Sequence, residues 1–201
     1  KIKKVLKDYR INYDVYTSEK SIYKTHPITE IINKLTTNGY TYEQEGATWL
    51  KASKLGDTKD HVLVKADGLY TYLVPDIAYH IDKIERGYDH LIDVFGTDHH
   101  GYVARLKGSL KALGYDPDIL DVKLLQLVRL VSNGEEIKMS KRTGKIVSLQ
   151  ELIDLVGINA ARYFFVSRSL DTQMDFDLDL ATKKSNENPV YYVSYAYARI
   201  C

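Results

Sequence analysis

His90-Leu91-Ile92-Asp93-Val94-Phe95-Gly96-Thr97-Asp98-His99-His100-Gly101 is the stretch on which the fold turns. Its first half reads as a buried strand, and its second half as a turn opening a helix that runs to about Leu113. The same step recurs on either side. Upstream, 69–74 reads as a strand after the Ala66-Asp67-Gly68 turn. Pro75-Asp76 then opens a helix, with proline at the first helical position, Asp76 near the positive end of the dipole, and Ile77, Ile81 and Ile84 as the apolar stripe. Downstream, 120–131 reads as one long strand, followed by a basic loop and a helix over 149–156. Strands alternating with helices at this spacing predict an α/β fold, a parallel sheet with helices packed on its faces. Ligands of such sheets sit beyond the carboxyl ends of the strands. That rule puts three turns on one rim: 72–76, 96–100 and 138–145.

The chain of 201 residues has room for one sizeable domain, or one domain and part of another. Apolar residues at 44% and charged residues at 27% suit a soluble globular protein, and a formal charge of +1 excludes a generally basic nucleic-acid coat while permitting local basic patches. No apolar run approaches the ~18 residues of a membrane span. The single cysteine, Cys201, rules out a disulfide framework within the chain and leans toward a reducing compartment. Seventeen tyrosines against one tryptophan and four phenylalanines suit half-wet pockets. Ile2, Val5, Leu6 and Tyr9 repeat as in a helix already under way, and 191–200 is helix-like without a closing cap. Both ends read as cut, so the chain is expected to be an excerpt of a longer protein.

Elsewhere, 13–16 is a strand candidate, and a helix from His26-Pro27 carries Ile28, Ile31, Ile32 and Leu35 on one face before Gly39. Short strands over 40–44, 47–50 and 61–64 suggest a small mixed α+β insertion near the N-terminus. From Asn159 a helix runs to about Arg168, 170–178 reads as a connector rich in aspartate, and Asn188-Pro189 begins another helix. The expected organisation is the end of a preceding helix plus the insertion over 1–65, the alternating βα body over 66–158, a helical connector over 159–187, and the start of an all-helical module over 188–201.

Four groups of residues could carry chemistry. Lys138-Met139-Ser140-Lys141-Arg142 packs three cations and a hydroxyl into a glycine-flanked loop, which suits a polyphosphate; a solvated surface turn is the competing reading. Gly96 allows close backbone approach, and Asp98 could accept ribose hydroxyls or merely cap the helix. His99 and His100 lack zinc-ligand spacing and a nearby cysteine. Tyr72 and Asp76 could hold a guanidinium through charge-assisted bonds, or simply make a good helix start. Asp175, Asp177 and Asp179 lack the glycine and distal glutamate of a calcium loop, so they read as solvated or capping, and Arg162 and Tyr163 as packing. No metal site is expected.

With those residues laid out, the chain resembles the arginyl-tRNA synthetase family of bacterial type, a class I aminoacyl-tRNA synthetase. The resemblance rests on 67–76 (DGLYTYLVPD), 96–102 (GTDHHGY), 138–142 (KMSKR), 159–164 (NAARYF), 175–180 (DFDLDL) and 185–192 (SNENPVYY), in that order. It implies a Rossmann-type catalytic domain, lacking its first βα unit here and helix-covered on both faces, that activates L-arginine with ATP and transfers it to tRNA(Arg) in the cytoplasm. ATP, accompanied by Mg2+, enters as a substrate, and no tightly held cofactor is implied. Residue by residue, Lys138 and Lys141 would stabilise the triphosphate. Met139, Ser140 and Arg142 would shape the loop over the nucleotide, Gly96 and Asp98 would approach the ribose, and Tyr72 and Asp76 would recognise arginine. The family's His-x-Gly-His element is absent; it would lie upstream of residue 1, and the anticodon-binding domain would only begin at about Asn188, so the isolated chain is expected not to charge tRNA. The alternatives are a nucleotidyltransferase-like enzyme acting on a small metabolite, and a non-catalytic synthetase-derived interaction domain.

Overall fold

The computed structural model describes residues 1–137 and 147–201. In chain order the elements are α1 (Ile2–Asp8), α2 (Glu19–Thr25), α3 (Ile28–Thr37), β1 (Thr41–Gln44), β2 (Ala47–Leu50), β3 (His61–Val64), α4 (Leu73–Glu85), β4 (Leu91–Gly96), α5 (His100–Ala112) and β5 (Leu120–Leu125). They continue with β6 (Val128–Ser132), β7 (Glu135–Glu136), α6 (Leu149–Val156), α7 (Ile158–Val166), β8 (Met174–Asp177), α8 (Leu178–Thr182) and α9 (Pro189–Ile200). The chain divides into two compact units, one of Val15–Leu124 and one of Lys1–Asp14 with Leu125–Cys201.

In the unit over 15–124, β1, β2 and β3 form an antiparallel sheet and β4 pairs with β5. Its core gathers Leu35, Leu50, Leu63, Val74, Ile77, Leu106, Leu110 and Leu120, each almost wholly removed from water. Those residues come from α3, the small sheet, α4, α5 and β5, so the insertion and the βα elements share one core. α5 approaches the 3-10 turn Ala52–Leu55 at Gly108, where a Cβ would sit 2.8 Å from the Leu55 Cβ and 3.1 Å from its carbonyl oxygen. Glycine is needed there for packing rather than for backbone freedom.

In the other unit, β6 pairs antiparallel with β7 and parallel with β8. Phe176 is fully buried against Phe164 and Phe165, with ring centroids 5.3 and 5.4 Å away. Ser148 caps α6 in a reciprocal box with Glu151, and Asn188 caps α9 with Pro189 in its first turn.

Four expectations change. The long strand over 120–131 is two strands in different sheets: Gln126 turns its N–H to the Leu170 carbonyl at 2.9 Å, and Leu127 stands 68% exposed. The connector over 170–178 contains β8, whose Met174 and Phe176 point inward while Asp175 faces solvent. Residues 69–74 are no strand beyond a single bridge of Tyr70 to Val64, because α4 starts at Leu73. Pro75 permits this, since amide hydrogens in the first helical turn have no intrahelical partner to lose. The 13–16 strand is also absent, and α2, which buries only Ile22 and so shows no apolar stripe, follows it instead.

Candidate functional site

The early start of α4 shapes the site. Tyr72 becomes the N-cap and Asp76 lies four residues on, so the helical repeat sets both side chains on one face. With Glu19 and Ile22 of α2 and with Pro75 and Tyr79 of α4 they line a cleft of about 220 Å³. That is less than the ~300 Å³ at which pockets begin to hold drug-sized ligands, so the cleft suits a side-chain-sized group.

The Asp76 carboxylate does not cap its helix. Its Oδ2 accepts the Tyr102 hydroxyl from α5 at 2.5 Å, and Oδ1 has no hydrogen-bond partner among the described residues. Tyr102 is buried, and burial, followed by the bond to Asp76, pushes its hydroxyl far above the ordinary tyrosine range. It therefore stays a neutral donor to the Asp76 carboxylate. Across the cleft, Tyr23 donates to the Glu19 carboxylate. That bond, with the fields of Glu19 and Asp76, lifts the Tyr23 hydroxyl to about 12. Two carboxylates and two phenols, of Tyr72 and Tyr79, thus line one cleft, and the sign of its field favours a cation.

Tyr102 also joins this cleft to the 96–100 turn. Its ring centroid lies 5.7 Å from Tyr72, 6.2 Å from Phe95 and 6.2 Å from His99, and the Arg105 guanidinium stands 5.5 Å over it. The heads of α4 and α5 are therefore adjacent. Gly96 has φ −66 and ψ 152, a conformation open to any residue, but a Cβ there would collide with the Asp98 carboxylate. Asp98 itself is exposed, makes no capping bond, and lies 3.8 Å from His99 Nε2. An acceptor oxygen and a bare backbone thus face solvent at the end of β4, which is what a ribose could use.

Lys138, Met139, Ser140, Lys141 and Arg142 lie outside the described residues. Among the described residues no three metal-ligating side chains cluster. Asp175 instead forms a two-bond pair with Arg129 at 2.7 and 2.9 Å, and Asp177 caps α8 through the Leu180 N–H. Asp179 accepts the Asn133 N–H. Arg162 donates to the Tyr9 carbonyl at 2.9 Å, a packing role.

Glu19 and Tyr102 escape the sequence reading. Tyr102 sits in a quoted motif, but nothing local says that its hydroxyl reaches 26 residues back to Asp76. Glu19 follows Ser18, which resembles a helix start and nothing more.

Comparison with known proteins gives a consistent result. The family described as class I tRNA synthetases (R), catalytic domain, matches residues 2–175. Arginine–tRNA ligases of Anoxybacillus flavithermus and Bacillus subtilis are 56% and 55% identical over the whole chain, which spans 36% of their length. A crystal structure from Campylobacter jejuni described as an arginyl-tRNA synthetase superposes with a TM-score of 0.88 at 41% identity, covering 99% of this chain and 43% of that one. No described helix is long and apolar enough to cross a membrane.

Proposed function

Since the chain belongs to the class I tRNA synthetase (R) catalytic-domain family, we propose that it is part of an arginine–tRNA ligase that forms arginyl-adenylate from L-arginine and ATP and passes the arginyl group to tRNA(Arg). The observation that carries this reading is the cleft at the head of α4, where Asp76 keeps one carboxylate oxygen unoccupied beside Tyr72 and opposite Glu19. A guanidinium offers five N–H donors in a planar fork, and two carboxylates on facing walls complement it better than they do an ammonium point charge.

In this account Asp76 and Glu19 hold the guanidinium, Tyr72 covers it, and Tyr102 fixes the Asp76 carboxylate. Gly96 and Asp98, at the end of β4, take the ribose of ATP, which arrives as its Mg2+ complex. The arginine carboxylate attacks the α-phosphorus in line, the P–O bond to pyrophosphate breaks, and the pyrophosphate carries the electron pair away. Lys138 and Lys141 neutralise the charge that grows on the triphosphate, with Met139, Ser140 and Arg142 shaping their loop. No proton need move in this step. The protein supplies orientation and fixed charge, the two contributions best suited to a displacement between two anions. The helix from Asn188 would begin the anticodon-binding module, with 66–158 as catalytic core, 1–65 carrying the insertion and 159–187 the connector. The whole enzyme would act in the cytoplasm.

The test is arginine-dependent ATP–pyrophosphate exchange with tRNA present, in the full-length enzyme and its Lys141→Ala variant. A fall of at least tenfold, ~1.4 kcal/mol of barrier, is expected. A rate within about twofold, ~0.4 kcal/mol, would remove the loop from the mechanism.

A further inference from the structure

One turn beyond Asp76, α4 buries a histidine. His80 is 3% exposed, which is rare for a side chain that must satisfy two ring nitrogens. Its Nδ1 lies 2.7 Å from the main-chain carbonyl oxygen of Asp76, and its Nε2 lies 2.7 Å from Asp93 Oδ2 on β4. The other Asp93 oxygen accepts from Lys83 Nζ at 2.9 Å, and Lys83 also stands 3.3 Å from His80 Nε2. A carbonyl at Nδ1 and a carboxylate at Nε2 each admit only a donating nitrogen, so the ring bridges the two when both nitrogens carry protons. The backbone of Asp76 is thereby tied through one imidazole to β4, the strand that ends on Gly96. The helix does not need this bond, because its own amide ladder already serves the Asp76 carbonyl. The extra donor therefore adds orientation at the residue whose carboxylate faces the cleft.

We propose that His80 is a positioning residue for the arginine cleft, holding Asp76 at the head of α4 to Asp93 on β4 and so setting the bound amino acid against the nucleotide turn. The inference rests on the reading of the cleft as an arginine subsite. His80 touches no substrate and acts through Asp76. Loosening it lets the Asp76 carboxylate wander, which weakens arginine binding and lengthens the approach to the α-phosphorus. ATP contacts at Gly96 and Asp98 stay as they were.

The experiment is ATP–pyrophosphate exchange with tRNA present in the full-length enzyme, with KM for arginine and for ATP measured separately in wild type, His80→Leu, His80→Gln, Asp76→Asn and Gly108→Ala. His80→Leu is expected to raise KM for arginine about tenfold, short of the ~100-fold that a misplacement of 1 Å can cost. KM for ATP should stay within twofold. His80→Gln keeps a donor for Asp93 but none for the Asp76 carbonyl, so it should behave like His80→Leu in KM while melting closer to wild type. Gly108→Ala, which strains packing far from the cleft, should lower the melting temperature and leave both KM values unchanged. If Asp76→Asn raises KM for arginine but both His80 variants leave it within twofold, the positioning role is wrong and the arginine reading stands. If Asp76→Asn itself leaves KM for arginine unchanged, the arginine reading is wrong. If the His80 variants raise KM for ATP as much as KM for arginine, or Gly108→Ala raises KM for arginine equally, the effect is general loosening and the proposal is overturned.

Discussion

Two aspartates close together in the fold have been put to opposite uses. Asp93, on β4, has both carboxylate oxygens occupied, one by His80 and one by Lys83. Asp76, at the head of α4, has one oxygen occupied by Tyr102 and one left over toward the cleft. Burial alone would drive the Asp93 carboxyl upward, yet its contacts with His80 and Lys83 outweigh this and hold it below the usual carboxylate range. A carboxylate with a partner on each oxygen fastens elements together; one with an oxygen to spare, lining a cleft, is open to a further donor. The difference lies in counting partners, because both residues sit close to the same helix.

That contrast makes separable predictions. Asp76→Asn removes the charge proposed to meet the guanidinium while keeping an acceptor for Tyr102. Arginine kcat/KM should drop by about 30-fold or more, the scale of a lost substrate ion pair at ~2–5 kcal/mol, with the melting temperature nearly unchanged. Asp93→Ala should do the reverse to the fold. It leaves a buried imidazole and ammonium without their counter-charge, which costs roughly 3 kcal/mol by analogy with other broken buried pairs, and chemical denaturation would report it.

The same pair differs in pH response. The folded-state pKa of Asp93 lies below its unfolded value near ~3.9. Its ionised form therefore stabilises the fold above that pH, and the contribution fades as the pH falls through the depressed folded value. The part of the melting-temperature gap between wild type and Asp93→Asn that Asp93 ionisation supplies should be lost only below about pH 4. A gap that stayed the same down to about pH 1 would assign the stabilisation to something other than the Asp93 charge.

Two glycines sharpen the comparison at smaller scale. Gly108→Ala drives a Cβ into the Leu55 side chain and carbonyl, and overpacking of that kind costs ~1–3 kcal/mol. Gly96→Ala meets only the exposed tip of Asp98, which can swing away, so stability should hold while KM for ATP rises several-fold. Smallest of all is Arg129→Ala. Its pair with Asp175 is about half exposed on both sides, and solvent-facing pairs contribute little, so neither unfolding nor exchange should change much.

The sequence was legible wherever pattern and chemistry coincide. The Ile77/Ile81 stripe, the helix over 149–156 and the Pro189 start behave as read, because each is set by neighbours within one turn, whereas the 90–95 run forms its strand but is not buried, with Ile92 and Val94 each 57% exposed. The errors have one cause in common. A strand boundary at Gln126 depends on the distant Leu170 carbonyl, and β8 exists because β6 lies beside it. Tyr102 matters through Asp76, and Glu19 through a cleft shared by two helices. Tyr72 and Asp76 could be named as a pair from spacing. That Asp93 is saturated and Asp76 is not could not be read, since the partner count is a property of three dimensions.

The central claim is that the spare oxygen of Asp76 recognises a guanidinium. The most direct measurement is calorimetric binding of arginine and citrulline, its neutral isostere, to the full-length enzyme and to Asp76→Asn. Wild type should bind arginine at least tenfold more tightly than citrulline, ~1.4 kcal/mol or more, and Asp76→Asn should lose most of that discrimination. Discrimination that survives intact in Asp76→Asn would contradict the account.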